Sequence, residues 1–77
     1  MSDSVKAHAM VVHITERAVL FRIRDVNNIK QEPQPDEWIP KSQIIDCNVE
    51  VDDLLVDEVV DLEIPEWLAI ERELDYE

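Results

Sequence analysis

The chain offers few side chains suited to covalent or metal chemistry. They are two histidines, His8 and His13, one cysteine, Cys47, the serine of "EWIPKSQI", Ser42, and nineteen carboxylates. His8 and His13 are five apart in a stretch that reads as a strand. An odd separation there sends two side chains to opposite faces. One cysteine supplies no thiolate set for zinc. The acidic run "DDLLVDE", residues 52–58, lacks the glycine and the alternating oxygen ligands of a calcium loop. No metal and no other cofactor is therefore expected. Ser42 and Cys47 do not sit in a nucleophile elbow, and Ser42 reads as a solvent-facing cap of a turn. General acid–base chemistry needs a carboxyl whose pKa is raised in an apolar pocket. Carboxylates spread over a charged surface do not meet that condition. No catalytic residue is expected, and the chain reads as a non-enzyme.

What remains is charge, and its placement is uneven. Residues 1–45 hold six Lys or Arg and six Asp or Glu, whereas residues 46–77 hold Arg72 against thirteen acids. The whole net charge of −12 thus lies in the last 32 residues. Such a half repels nucleic acid and anionic membrane and attracts basic surfaces. The one basic group, Arg17, Arg22 and Arg24 with Lys41, has an incomplete stacking platform, because Phe21 alternates away from the two strand arginines. Direct nucleic-acid binding is the weakest of the binding readings. A solubilising role for the charge is the plain alternative to a docking role.

The elements that must position these residues are short. At 77 residues the chain holds one domain at most. Residues 1–4 read as a frayed start. Residues 5–14 read as a strand, and "AVLFRIRD" alternates with Val19, Phe21 and Ile23 on one face. Glycine is absent, so a turn with positive φ must use Asn or Asp, and Asn27-Asn28 is the candidate. Residues 26–36, with two prolines, read as a long loop dispensable for folding. "EWIP" reads as a short strand stopped by Pro40. "IIDCNVEVD" places Ile45, Cys47, Val49 and Val51 inward and Asp46, Asn48, Glu50 and Asp52 outward. "VVDLEI" does the same with Val60, Leu62 and Ile64 in and Asp61 and Glu63 out. Residues 65–75 read as a helix with Trp67, Ile70 and Leu74 on its apolar face.

About five short strands and one C-terminal helix define a mainly β domain, a small, partly open barrel of SH3-like or OB-like type. A three- or four-stranded antiparallel sheet with one helix is the alternative. Trp67 is assigned to the core. Trp38 is left between two readings, a structural tryptophan or an anchor for a partner, since Trp38 and Ile39 must point to opposite faces. No run of 18 apolar residues and no signal peptide are seen, and a single cysteine fits a reducing cytoplasm.

"AVLFRI", "EWIPKSQI" and "LEIPEWLAIERELDY" together resemble a family of small uncharacterised bacteriophage and prophage proteins. In these a strand precedes a W-[IL]-P-K-S-Q-I motif, and a P-E-W-L-A segment closes the chain. The resemblance spans residues 18–45 and 59–76. It implies a phage-encoded accessory protein in the host-cell cytoplasm and brings no catalytic residues. The insert "NIKQEPQPD" departs from the tight hairpin expected of the family.

The acidic half then suggests a partner. Asp46, Glu50 and Asp52 on one strand would face Asp57, Asp61 and Glu63 on or near the next, and like charges opposed across strands destabilise. The expected role is docking on a basic host protein that binds nucleic acid. The chain would act as a DNA mimic or as an inhibitor of a host nuclease or defence complex. The alternative is a protein-binding accessory of phage replication or recombination, anchored by Trp38 and the 26–36 segment.

Overall fold

The computed structural model describes residues 3–76. Period-two alternation produces most of it. The strands are β1 (Ser4–Ile14), β2 (Ala18–Val26), β3 (Ile29–Lys30), β4 (Asp36–Pro40), β5 (Asp46–Cys47) and β6 (Val59–Pro65), followed by helix α1 (Glu66–Glu71). All pairings are antiparallel, in the order β3-β2-β1-β6-β5, with β4 also on β2. The molecule is therefore mainly β with a C-terminal helix, as the alternation predicts, and its strands form an open six-stranded antiparallel sheet.

One face of the sheet forms the core. Val5, Ala7, Ala9 and Val11 on β1 lie beside Val19, Phe21 and Ile23 on β2 and Val60, Leu62 and Ile64 on β6. Leu68, Ala69, Leu74, Leu54 and Ile39 complete it. The alternate residues, Lys6, His8 and Met10 on β1 with Asp61 and Glu63 on β6, form the outer face. Two register shifts interrupt the β1–β2 ladder. At the second, Val12 is an extra residue between the pairs Val11–Phe21 and His13–Leu20. A bulge of this kind reverses the alternation. His13 consequently joins His8 on the outer face, and the expectation of opposite faces is corrected.

The β2–β3 hairpin turns at Asn27 and Asn28, with φ of 50° and 70°, the positive values a two-residue turn of primed type needs. The segment after it is not the free loop expected over 26–36. Lys30 pairs with Asp25 and Asp36 with Arg22, so residues 31–35 bulge opposite Ile23 and Arg24. Backbone bonds from Gln31 N to Arg24 O and from Ile23 N to Pro35 O fasten both ends of the bulge. Gln31 is 4% exposed, the one buried polar residue among those described. Its Nε2 donates to the carbonyls of Ile29 (3.0 Å) and Asp75 (2.6 Å), and its Oε1 accepts from the Asp75 N–H (2.9 Å).

The helix departs most from expectation. It ends at Glu71, and Glu73 lies at φ 57°. Leu74 N donates to Ala69 O and Glu73 N to Ile70 O, the paired bonds of a Schellman turn. The turn reverses the chain, so Leu74 enters the core from outside the helix and sits on the side of Ala69. With six residues, α1 buries Leu68 and Ala69. Trp67 (52% exposed) and Ile70 (60%) face solvent, and the assignment of Trp67 to the core is overturned.

Glycine is the residue such a turn favours, and a non-glycine residue in the left-handed region costs about 1–2 kcal/mol. Glu73→Gly should therefore raise stability by about 0.5–1 kcal/mol, after the entropic cost of glycine. That corresponds to a few degrees in thermal midpoint. Glu73→Ala removes the same charge but keeps the unfavourable φ. Equal gains from the two variants would assign the effect to charge rather than to backbone.

Two further differences concern the edges. The strand expected over 44–52 stops at Cys47, because Asn48 ends the ladder. Its N–H donates to Asp61 O, and its Oδ1 accepts the Asp61 N–H at 3.0 Å. Ile45 is exposed, while Cys47, Val49 and Val51 are half-buried against the core. The start of the chain is tied down from Asp3 onward, since Asp3 O accepts the Glu66 N–H and the Ser4 hydroxyl donates to Glu63. The rest of the expected frayed start, residues 1–2, lies outside the described residues.

Candidate partner-binding face

The outer face carries a polar row across three strands. In register, Asp25 on β2 and Asp61 on β6 flank His8 on β1. His8 Nδ1 lies 2.6 Å from Asp25 Oδ1, and Nε2 lies 2.9 Å from Asp61 Oδ1. A neutral imidazole has one N–H, so donation to both carboxylates requires the imidazolium. The hydrogen bond to Asp25 is the main cause of a His8 pKa raised above its ordinary 6.5. Partial burial opposes this, the charges of Asp25 and Asp61 add to it, and Arg24 opposes it weakly.

The sign of the resulting pH dependence follows from linkage. The folded value lies above the unfolded one, so the contribution is fully present below pH 6.5 and is lost as pH rises through the folded value. The urea midpoint should fall across that interval, and His8→Gln should flatten the slope. The side chain is half-exposed, and solvent screening keeps the effect small. A wild-type slope unchanged in His8→Gln would place the titration elsewhere.

The acidic residues singled out in the sequence divide into two groups. Asp46 and Glu63 are opposed in register across β5 and β6, and Asp61 lies two residues along β6. On one strand that spacing is about 6.8 Å. Glu50 and Asp52 do not share a strand with Asp46, contrary to expectation, and Asp57 precedes β6. They lie in the connection between β5 and β6, where Glu50 precedes a 3-10 turn at Val51–Asp53 and Asp57 takes φ 72° in a tight turn. All three are exposed. Beside His8 the face dips into a cleft of about 490 Å³, lined by Lys6, Asn27, Asp46, Cys47, Asp61 and Glu63 among others.

Trp38 lies across the sheet from this edge. It pairs with Leu20, is 43% exposed, and meets the His13 ring edge-on at 6.0 Å and 89°. Three strand spacings, roughly 14 Å, separate β4 from β6. Trp38, like Trp67, is thus exposed, and Ile39 is its buried neighbour. One member of the basic group, Arg22, is also engaged. Arg22 grips Asp36 in two bonds, Nε to Oδ1 at 2.8 Å and Nη2 to Oδ2 at 3.1 Å. That contact holds the Asp36 carboxyl below its usual range.

The uneven sequence charge thereby becomes a polarity in space. The neutral half of the chain builds β1 to β4, and the acidic half builds β5, β6 and α1. Sequence reasoning weighed His8 only as a metal ligand and missed its carboxylate partners, and it missed Gln31 altogether. Their partners are 17 and 44 residues away, and no local pattern marks either contact. Among the described residues no group of three His, Cys, Asp or Glu side chains could hold a metal ion, and no helix is long and apolar enough to cross a membrane. Comparison of the chain with known families, curated proteins and solved structures finds no match.

Proposed function

We propose that this protein is a non-enzymatic binding module that docks on a basic protein surface through its β5–β6 edge. The observation that carries the reading is the in-register opposition of Asp46 and Glu63 beside Asp61. Like charges facing across strands weaken an isolated sheet, and a basic partner turns that cost into attraction. The resemblance to phage proteins supplies a setting, a host cell in which the partner is a nucleic-acid-binding protein and the module an acidic mimic that blocks it. A second reading has its own support. Trp38 is exposed beside His13, and an aromatic anchor would give docking with little salt dependence.

The test compares wild type with a four-amide variant, Asp46→Asn, Glu50→Gln, Asp52→Asn and Glu63→Gln. Asp61 is kept because it holds His8. The variant should be about as stable as wild type, because relief of the Asp46–Glu63 repulsion offsets the weaker pairing of residue 63 with Lys6 and Ser4. In bacterial lysate at low salt it should lose capture of basic proteins that duplex DNA displaces from wild type, mainly through slower association. Equal capture by both proteins removes the acidic-edge reading. Loss of capture on Trp38→Ala alone selects the second.

A further inference from the structure

The exposed side of α1 is the least explained surface of the molecule. At about 100° per residue, Trp67 and Ile70 lie within about 60° of each other, directly opposite the buried pair Leu68 and Ala69. Glu66 and Glu71 flank this apolar stripe, each about 70° from its centre. The helix and the turn after it, residues 66–75, hold four acids against Arg72. Arg72 is turned to Glu71 Oε1 at 2.6 Å and to the Trp38 carbonyl at 3.2 Å. Glu71 and Glu73 also sit at the negative end of the helix dipole, where an acid is unfavourable. A large aromatic and an isoleucine are thus presented to solvent between carboxylates, at some cost to the helix.

We propose that Trp67 and Ile70 form a docking site for a basic amphipathic segment of another protein, a peptide with apolar side chains flanked by Lys or Arg. Charge complementarity selects this occupant. A second copy would bring another net charge of −12 against the first, and nucleic acid and anionic lipid carry the same sign. Size agrees. Half of a tryptophan and rather more than half of an isoleucine offer on the order of 200 Å² of apolar area, below what a lasting pair of folded domains needs but enough to seat two or three side chains. Tryptophan is also among the residues enriched at the energetic centres of interfaces. The site is on the side of the helix turned away from the sheet, so it is separate from the β5–β6 edge and does not rest on that reading.

The experiment uses the full chain carrying Trp38→Phe, which leaves Trp67 as the sole tryptophan. A synthetic helical Lys/Leu peptide is titrated in, with an all-polar lysine peptide of equal charge as control. The expected result is a saturable blue shift with the Lys/Leu peptide, at least ten-fold weaker binding of the control, and at least ten-fold loss in Ile70→Ser. Calorimetry on Trp67→Ser should show the same loss. Both substituted positions are exposed, and unchanged thermal midpoints would show that the variants fold. The four-amide sheet variant should bind the peptide as wild type does, which separates failure here from failure of the acidic-edge reading. Equal binding of both peptides, or no change in Ile70→Ser and Trp67→Ser, would overturn the proposal. So would concentration-dependent self-association lost in Trp67→Ser, which would assign the surface to a second copy.

Discussion

Leu68→Ala should lower stability by roughly 2–5 kcal/mol, and Trp67→Ala by less than about 1 kcal/mol. Leu68 is fully enclosed between α1 and the sheet, so its truncation leaves a cavity in the core. Trp67 is half in water and leaves none. A domain of this length has about 4–12 kcal/mol in total, so Leu68→Ala removes a large part of it, and the weaker end of that range would leave the protein unfolded. Urea midpoints of the two variants are the measurement. A larger loss for Trp67→Ala would mean that the helix is rotated by half a turn, with Trp67 and Ile70 inside.

Gln31→Leu should cost about 1–3 kcal/mol, the range for leaving buried hydrogen-bonding groups without partners. The substitution keeps the volume and removes both ends of a side-chain amide that serves the N–H and the C=O of Asp75. The tail after α1 then loses its attachment to the β3–β4 bulge, and Leu74, seated one residue earlier, loosens with it. The thermal midpoint should fall by about 4–8 °C per kcal/mol. Replacing residues 28–35 by a short turn deletes the same latch along with β3 and should do at least as much damage. That is the reverse of what two prolines and mixed charge suggest when read as a loop. A midpoint held within about 2 °C in Gln31→Leu would show that the tail is secured elsewhere.

The difference between what could and could not be read in advance has a physical basis. Alternation over 18–26 and 59–64 is a property of neighbouring residues, and it located β2 and β6 with their buried faces. The Asn27-Asn28 turn was legible because a glycine-free chain has few other residues for positive φ. The helix face was not. Its i, i+3, i+7 pattern presumed a helix running to Leu74, and the Schellman turn at Glu73 has no glycine to announce it. The side on which His13 emerges depends on a one-residue bulge that spacing cannot reveal. For the candidate site, the acidic residues were visible as a group. Their division between a strand pair and a connecting loop depends on Asn48 closing the ladder, a contact made across 13 residues.

The position of β1 has a consequence for how the protein is made. Its two neighbours are far apart along the chain. β2 begins just beyond its end, while β6 begins only at Val59. During synthesis the β1–β2 hairpin can close early, with Val5, Ala7, Val11, Phe21 and Ile23 all on one side of a two-stranded ribbon. Ile39, Val49, Val51 and Leu54 reach that side first, and it is closed only when β6 and α1 have been polymerised. At 5–20 residues per second the interval from Val26 to Leu74 lasts roughly 2–10 s. For that time the nascent chain shows an apolar face to the cell, and a product truncated before Leu68 would show it permanently. Leu68, Ala69 and Leu74 thus set how long that apolar face stays open to chaperones and proteases.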